Sequence, residues 1–109
     1  MQNYEYDHFI YQDFDLNITD NALKLIKDRI KNEDMILNNV YLMVFSDGTG
    51  IGMGVQYRSN PINHVFQNIK KIDGLAVAVP EDDFTMLKGS VIDHDGITFT
   101  IKTKDRGEE

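Results

Sequence analysis

The sequence predicts one α+β domain with about seven short strands, one long helix and one short helix. Three observations support this fold class. Apolar residues recur with helical spacing over residues 20–32, residues 40–45 and 75–79 are short apolar runs typical of strands, and Asp95-Gly96 marks a tight hairpin turn. A chain of 109 residues suits a single domain, because domains typically hold about 100–150 residues.

Composition excludes several classes of site. The sequence has no cysteine, which rules out disulfides, a thiol nucleophile and thiolate ligands for zinc or an iron–sulfur cluster. It has 11 basic and 18 acidic residues, a formal net charge of −7. Nucleic acids and anionic membranes attract positive surfaces, so we expect neither as a partner.

No segment has the pattern of a targeting or membrane sequence. Residues 1–10 lack the basic and apolar regions of a secretory signal. The longest apolar run, residues 75–80, is far shorter than the roughly 20 residues that a membrane helix needs. We therefore expect a cytoplasmic location.

The N-terminal segment is rich in aromatic residues. Disordered tails contain few such residues, so we expect this segment to pack. A strand covering the domain's own core is the favoured interpretation, and a partner or dimer interface is the alternative; on such a strand Tyr4, Tyr6, His8 and Ile10 share one face. We divide the chain into an aromatic extension, residues 1–15, and a domain, residues 16–109. The aromatic residues are Tyr4, Tyr6, Phe9, Tyr11 and Phe14.

One long amphipathic helix is predicted over Asp20–Asn32. Thr19 is the expected N-cap, and Asp20 lies in the first turn, where the helix dipole favours an acidic residue. The apolar stripe predicted to face the core consists of Ala22, Leu23, Ile26 and Ile30.

The remaining elements are predicted to be mostly strands. Residues 40–45 are typical of a strand buried on both faces, residues 55–58 of a half-buried strand, and residues 63–66 and 69–72 are weaker candidates. After the strand 75–79, Pro80 introduces a short helix, Glu81–Leu87, with Gly89 as its C-cap. The final hairpin pairs residues 91–93 with 97–102, and its inward side chains are Ile97, Phe99 and Ile101.

The main candidate site is a glycine-rich segment, residues 47–54. If the segment is extended, one of its faces has no side chains, so a ligand or another chain can approach the backbone closely. The spacing matches neither a dinucleotide fingerprint nor a P-loop. A loose hairpin turning at Asp47-Gly48 is the alternative. The candidate binding residues are Asp47, Gly48, Gly50, Gly52 and Gly54.

Asp93, His94 and Asp95 are the densest group of potential metal ligands. Adjacent residues of a strand point to opposite faces, and Asp-Gly is a common turn, so a turn is the favoured interpretation. His8 and His64 have no ligand spacing around them, and no nucleophile is paired with a base. We therefore expect a protein that is not an enzyme and that holds no cofactor.

Several segments resemble one family, in order. Residues 18–22 resemble the I-T-x-x-A opening of the HesB/IscA-like proteins, the A-type carriers of iron–sulfur cluster assembly. Residues 52–57 are similar to their C-S-G-x-x-Y segment, and residues 73–79 to their D-G-V-x-V-x-V strand. Residues 87–94 resemble L-x-G-x-x-I-D-Y, and Phe99 takes the place of a late phenylalanine. The resemblance spans residues 16–102.

The resemblance implies a HesB-like fold: small mixed β-sheets in a sandwich-like arrangement with the N-terminal helix, often in dimers or tetramers. The family binds iron or a cluster through a cysteine in the glycine-rich segment and a Cys-x-Cys pair near the C-terminus. Here Gly52 stands at the first position, and the pair has no counterpart. The sequence thus resembles a divergent, cysteine-less member.

Two functions follow as expectations. The first is a non-catalytic accessory or binding protein, whose glycine-rich segment engages a protein of the iron–sulfur assembly machinery or a second copy of the chain. The alternative is iron binding or delivery through carboxylate and histidine ligands such as Asp47, Asp93 and His94. An enzyme acting on a small molecule ranks last.

Overall fold

The structure, a computed structural model, describes residues 9–46, 51–57 and 67–102. Its two α-helices are α1 (Asp20–Asn32) and α2 (Glu81–Leu87), and a 3-10 turn covers Leu37–Asn39. Its strands, in chain order, are β1 (Leu16–Ile18), β2 (Val40–Ser46), β3 (Ile51–Tyr57), β4 (Gln67–Ile72), β5 (Leu75–Pro80), β6 (Ser90–His94) and β7 (Phe99–Lys102).

These strands form two small mixed sheets. The smaller sheet has the order β1-β6-β7, with β1 parallel and β7 antiparallel to β6. The larger sheet has the order β3-β2-β5-β4, with a parallel pair, β2 and β5, at its centre and antiparallel strands at both edges. The predicted α+β class with small mixed sheets is confirmed.

A single apolar cluster links α1 to both sheets. The predicted stripe of α1 is buried, and its N-cap forms as expected: the Thr19 hydroxyl accepts a hydrogen bond from Ala22 N at 3.2 Å. Leu16 and Ile92 of the smaller sheet and Val40 of the larger sheet belong to the same cluster as this stripe. Because these side chains share one core, each sheet depends on the other for the burial of its apolar face.

The two central strands of the larger sheet are buried on both faces. Val40, Leu42 and Val44 of β2 belong to the cluster around α1. On the opposite face, Tyr41 packs with Ala76 and Ala78 of β5 in a second cluster. The fully apolar patterns of residues 40–45 and 75–79 therefore predicted both strands correctly.

Helix α2 begins after Pro80 and ends at Leu87. Its C-cap is Lys88, and Gly89, the predicted C-cap, lies one residue further, where its φ of +89° is a left-handed conformation that favours glycine. Two of its acidic residues attach it to the larger sheet. Glu81 accepts a hydrogen bond from Asn68 Nδ2 at 2.8 Å, and Asp83 accepts one from Ser46 N at 3.0 Å. Of the helices in the described residues, none has the length and apolar character needed to cross a bilayer.

The described N-terminal residues wrap around the outer edge of β4. Phe9 is buried in the cluster that contains Ile69, on one face of the sheet. Gln12 N donates a hydrogen bond to Ile69 O at 2.7 Å, and Phe14 packs against the cluster on the other face, edge-on to Phe84 at 5.0 Å. In this part of the segment, the interpretation as a cover for the domain's own core is confirmed, but the predicted strand is wrong, because residues 9–15 are irregular.

The structure differs from the prediction for the N-terminal residues in two further details. Phe9 is buried whereas Ile10 is 63% exposed, so the face predicted through Ile10 is not the buried one; Tyr4, Tyr6 and His8 lie outside the described residues. β1 was not predicted, because its three residues are extended only by pairing in parallel with Ser90–Ile92 of β6, a contact distant in sequence. The division between residues 15 and 16 stays a prediction.

The predicted burial of Ile97 and Tyr57 is also wrong. Ile97 was expected to face the core but is 89% exposed, because it lies in the turn. The Asp95 carboxylate accepts hydrogen bonds from the backbone N–H groups of Ile97 and Thr98, each at 2.9 Å, so β7 begins only at Phe99. Similarly, Tyr57, the expected buried partner of Val55, is 55% exposed. Residues 63–66, a candidate strand, lie outside the described residues.

Ser90 offers a test of the packing around β6. Its side chain is fully buried, and its Oγ has no hydrogen-bond partner in the described part of the chain. A buried hydroxyl without a partner costs about 1–3 kcal/mol. We therefore expect Ser90→Ala to raise the free energy of unfolding by about 1 kcal/mol in urea denaturation.

The control for this test is Thr100→Ala, at an exposed position on the neighbouring strand β7. It should slightly lower the free energy of unfolding, because alanine is a poorer strand residue than threonine. If Ser90→Ala destabilised the protein by more than this control, the hydroxyl would have to be satisfied in the folded state.

Candidate functional site

The glycine-rich segment contributes Gly52 and Gly54 to β3, an edge strand of the larger sheet. The register places Gly52 opposite Phe45 and Gly54 opposite Met43 of β2. This antiparallel pairing agrees with the hairpin interpretation. The predicted site residues Asp47, Gly48 and Gly50 lie outside the described residues, so the structure places only two of the five.

The two described glycines have different surroundings. A Cβ atom at Gly52 would lie 2.9 Å from Cζ of Phe45, so the aromatic ring covers this glycine. At Gly54 the nearest atom to such a Cβ is Nε2 of Gln56, at 3.8 Å, which is ordinary contact. The face without side chains that the sequence suggests is therefore open at Gly54 and closed by Phe45 at Gly52.

The other face of β3 borders a cleft of about 420 Å³. Its walls include Ile26 of α1, Met53 and Val55 of β3, and Phe99 of β7. The charged residues at this cleft, Arg29 and Glu33, bond to each other, with 3.3 Å between Arg29 Nε and Glu33 Oε2.

A second cleft of about 440 Å³ continues along the same two strands, lined by Ile51, Met53, Phe99 and Ile101. Because Met53 and Phe99 line both clefts, the two form one surface between β3 and β7, to which these strands contribute apolar side chains. Sequence reasoning missed this surface. The alternation of Ile51, Met53 and Val55 was its only signal, and the same alternation marks a strand face that is simply core.

Asp93, His94 and Asp95 are engaged in local structure. The Asp93 carboxylate accepts hydrogen bonds from the Thr19 hydroxyl at 2.6 Å and from His94 N at 2.8 Å, which lower the pKa of Asp93. Backbone N–H groups in the turn lower the pKa of Asp95. His94 Nδ1 accepts from Gly96 N at 3.0 Å. The turn interpretation is confirmed, and the described residues contain no group of three or more metal-binding side chains of the His, Cys, Asp or Glu type.

Comparison with solved structures identifies the fold. The crystal structure of Escherichia coli SufA, involved in biosynthesis of iron–sulfur clusters, matches with a TM-score of 0.53 and 20% identity, over 96% of this chain and 97% of SufA. IscA with a [2Fe-2S] cluster matches with a TM-score of 0.58 and 12% identity, over 83% of this chain and 84% of IscA. The fold is IscA/SufA-like.

A third structure with the IscA/SufA-like fold is a protein from Aquifex aeolicus solved by NMR, with a TM-score of 0.55 and 14% identity over 97% of this chain and 100% of that one. No protein-family model and no curated protein matches the sequence. The HesB/IscA resemblance is therefore confirmed at the level of the fold.

The described residues do not fit an iron–sulfur cluster at the position that the resemblance indicates. Such clusters are held by anionic thiolates, and the sequence has no thiol. The resemblance in sequence aligns Gly52 with the first family cysteine, and here the ring of Phe45 lies where a side chain at Gly52 would extend.

The contact between Phe45 and Gly52 can be tested by mutation. We expect Gly52→Ala to lower the free energy of unfolding by about 1 kcal/mol relative to Gly54→Ala, because the new methyl group overpacks against the ring. Gly54→Ala is the matched control, since its Cβ meets only ordinary contacts. Urea denaturation of both variants measures the difference.

The same pair is then compared in a Phe45→Leu background, where the ring is gone. The difference between the two alanine variants should disappear there. An equal difference in both backgrounds would mean that Phe45 is not the cause.

The link between α1 and β6 gives a pH-dependent prediction. Thr19→Ala removes the N-cap and the hydrogen bond to Asp93, and we expect it to lower the free energy of unfolding by about 1 kcal/mol at neutral pH. Because the Thr19 hydroxyl lowers the pKa of folded Asp93, that part of the stability is present above the ordinary value of 3.8 and is lost as the pH falls through the lowered pKa.

The stability difference between wild type and Thr19→Ala should therefore be largest at neutral pH and shrink below pH 3.8. Thermal denaturation from neutral to acidic pH measures it. The control Thr85→Ala, at an exposed position of α2, should differ from wild type by an amount that does not change with pH. A constant Thr19→Ala difference would contradict the assigned role of Asp93.

Proposed function

We propose that this chain is a non-catalytic accessory protein of iron–sulfur cluster biosynthesis, which binds a protein partner and carries no cluster of its own. The observation that supports the proposal best is the aromatic ring of Phe45 over Gly52, on an IscA/SufA-like fold. SufA is involved in the biosynthesis of iron–sulfur clusters, and IscA is known with a [2Fe-2S] cluster. A chain that keeps the fold but fills the ligand position suits a role beside such carriers.

The region around β3 is the proposed binding surface. Its cleft of about 420 Å³ has room for side chains of a partner, and Arg29 and Glu33 at that cleft are bonded to each other. This favours binding over catalysis, which needs titratable groups aimed at a substrate. Gly54 supports the role given to the glycine-rich segment, since its backbone is open to close approach.

The proposal also includes location, architecture and assembly. We propose that the protein is cytoplasmic, that its sheets have the sandwich-like arrangement of the resembled family, and that it can form a homodimer. Iron delivery through Asp47, Asp93 and His94 has less support, because Asp93 and His94 hold the turn and the helix cap.

Anaerobic reconstitution with ferrous iron and sulfide tests the absence of a cluster. We expect the desalted protein to be colourless, without stoichiometric iron or acid-labile sulfide, because no thiolate is present to bind them. IscA, treated in parallel, is the positive control. A brown sample with stoichiometric iron and sulfide would contradict the proposal.

The second arm of the test identifies the partner. Affinity-tagged protein is incubated with lysate of its own organism, and the bound proteins are quantified by mass spectrometry against a tag-only control. We expect enrichment of iron–sulfur assembly proteins. If enriched proteins were found and none belonged to that machinery, the accessory role would be wrong.

A further inference from the structure

The two edge strands of the larger sheet, β4 and β3, differ in how they are covered. The edge of β4 carries Lys70 and Lys71 and is wrapped by residues 9–15, with Gln12 N bonded to Ile69 O at 2.7 Å. Phe14 O accepts a hydrogen bond from Lys70 Nζ, which fastens the wrap on one side of the strand. Charges and a covering segment are the usual devices by which proteins protect a sheet edge from other chains.

In the described part of the chain, the opposite edge, β3, has none of these devices. Its sequence, Ile-Gly-Met-Gly-Val-Gln-Tyr over Ile51–Tyr57, contains no charged residue and no proline. Within residues 9–46, 51–57 and 67–102, β3 pairs only with β2. Among the residues that the structure describes, the outer edge of β3 is therefore unpaired and uncharged, whereas residues 9–15 cover the edge of β4.

The two clefts border one face of β3, between this strand and β7. A strand added to β3 lies about 4.8 Å from it and directs every second side chain to the face of Met53 and Val55. That face opens on the surface shared with Phe99 and Ile101 of β7. On the opposite face, Gly54 has no side chain to crowd the neighbouring strand. Free backbone groups and a receptive surface for alternate side chains are the two requirements of peptide binding by strand addition.

The net charge of the chain indicates what kind of segment can bind at the β3 edge. With 11 basic and 18 acidic residues, the protein attracts a positively charged segment, and this charge favours such a segment at the β3 edge over a second copy, which also carries −7. Arg29 and Glu33 neutralise each other at the cleft, so the side chains that enter the cleft need no charge.

We infer that the free edge of β3 and the adjoining cleft bind an extended, positively charged segment of another protein, which adds to the larger sheet as a fifth strand with apolar side chains at alternate positions. This inference rests on the proposed function, since it names how the partner is held and what its contact segment looks like.

The probe is a fluorescent synthetic peptide of about nine residues, long enough to span a strand, in which valine alternates with threonine and lysines occupy both ends. Anisotropy measures its affinity for the full chain, and amide NMR shifts locate the contact. We expect binding tighter than about 1 mM, with the largest shifts in Ile51–Tyr57 and at Phe99 and Ile101.

Two altered peptides separate strand addition from simple attraction. Proline in place of the central valine removes a backbone donor, and we expect it to weaken binding at least roughly tenfold. Glutamates in place of the lysines should weaken binding by about tenfold at low salt. Equal affinity of the proline peptide would overturn strand addition, and equal affinity of the acidic peptide would overturn the charge assignment.

Two protein variants carry the same added charge at different places. Gly54→Lys places an ammonium group on the β3 edge, where the open space accepts a side chain, and should weaken binding at least roughly tenfold. Thr100→Lys, on the exposed face of β7, should stay within about twofold of wild type. Circular dichroism shows that both variants are folded, and the peptide comparisons on wild-type protein do not depend on either variant.

Other outcomes overturn the inference. Equal loss in both variants, or no peptide binding at about 1 mM, would remove the β3 edge as the binding site. Self-association of the wild type that Gly54→Lys abolishes would make a second copy the occupant. If Gly54→Lys captured the same assembly proteins as wild type from lysate, the proposed function would stand while the edge would be excluded as the contact.

Discussion

An open sheet leaves backbone hydrogen-bonding groups at both edges, and this constraint shapes the larger sheet. At β4 the constraint is met within the chain: residues 9–15 cross the edge, and Gln12 supplies a backbone donor to Ile69. The crossing requires an apolar anchor on each side, and Phe9 and Phe14 provide them in two different clusters. This packing explains why the N-terminal segment is rich in aromatic residues. A segment that crosses an edge strand and packs on both faces of the sheet needs a large side chain on each face.

Strand β3 forms the second edge, and it contains Gly52, which the sequence resemblance aligns with a cysteine of the HesB/IscA-like family. Gly52 and Phe45 together close that position: the ring needs the missing Cβ, and the bare backbone is covered by the ring. A side chain at position 52 would therefore have to displace the end of the Phe45 ring, which leaves the two residues coupled in packing.

Regular elements could be predicted from the sequence where local signals decide the structure. The stripe of Ala22, Leu23, Ile26 and Ile30 with the Thr19 cap placed α1 at its observed bounds, and Pro80 and Gly89 did the same for α2. β1 could not be found in this way, because its extended form comes from pairing with β6, far along the chain. The predicted burial of Ile97 was wrong for a related reason. Two hydrogen bonds to the Asp95 carboxylate lengthen the turn, and the alternation of apolar residues does not determine turn length.

The candidate site could be predicted only in part, because a glycine pattern shows where side chains are missing but not which neighbouring residues fill that space. The alternation through Gly52 and Gly54 gave a face without side chains only on the condition that the segment is extended. Gly52 and Gly54 do lie on a strand, but the neighbouring strand decides whether that face is open or filled. Phe45 stands opposite Gly52 and fills the space, while Met43 stands opposite Gly54 and leaves it open. The cleft depends on β7 as well, since Phe99 reaches the surface of Met53 only after both sheets pack on one core. Where a strand of this chain can be approached is therefore decided by tertiary neighbours, and the sequence of β3 contributes the absence of charge that leaves the edge able to pair.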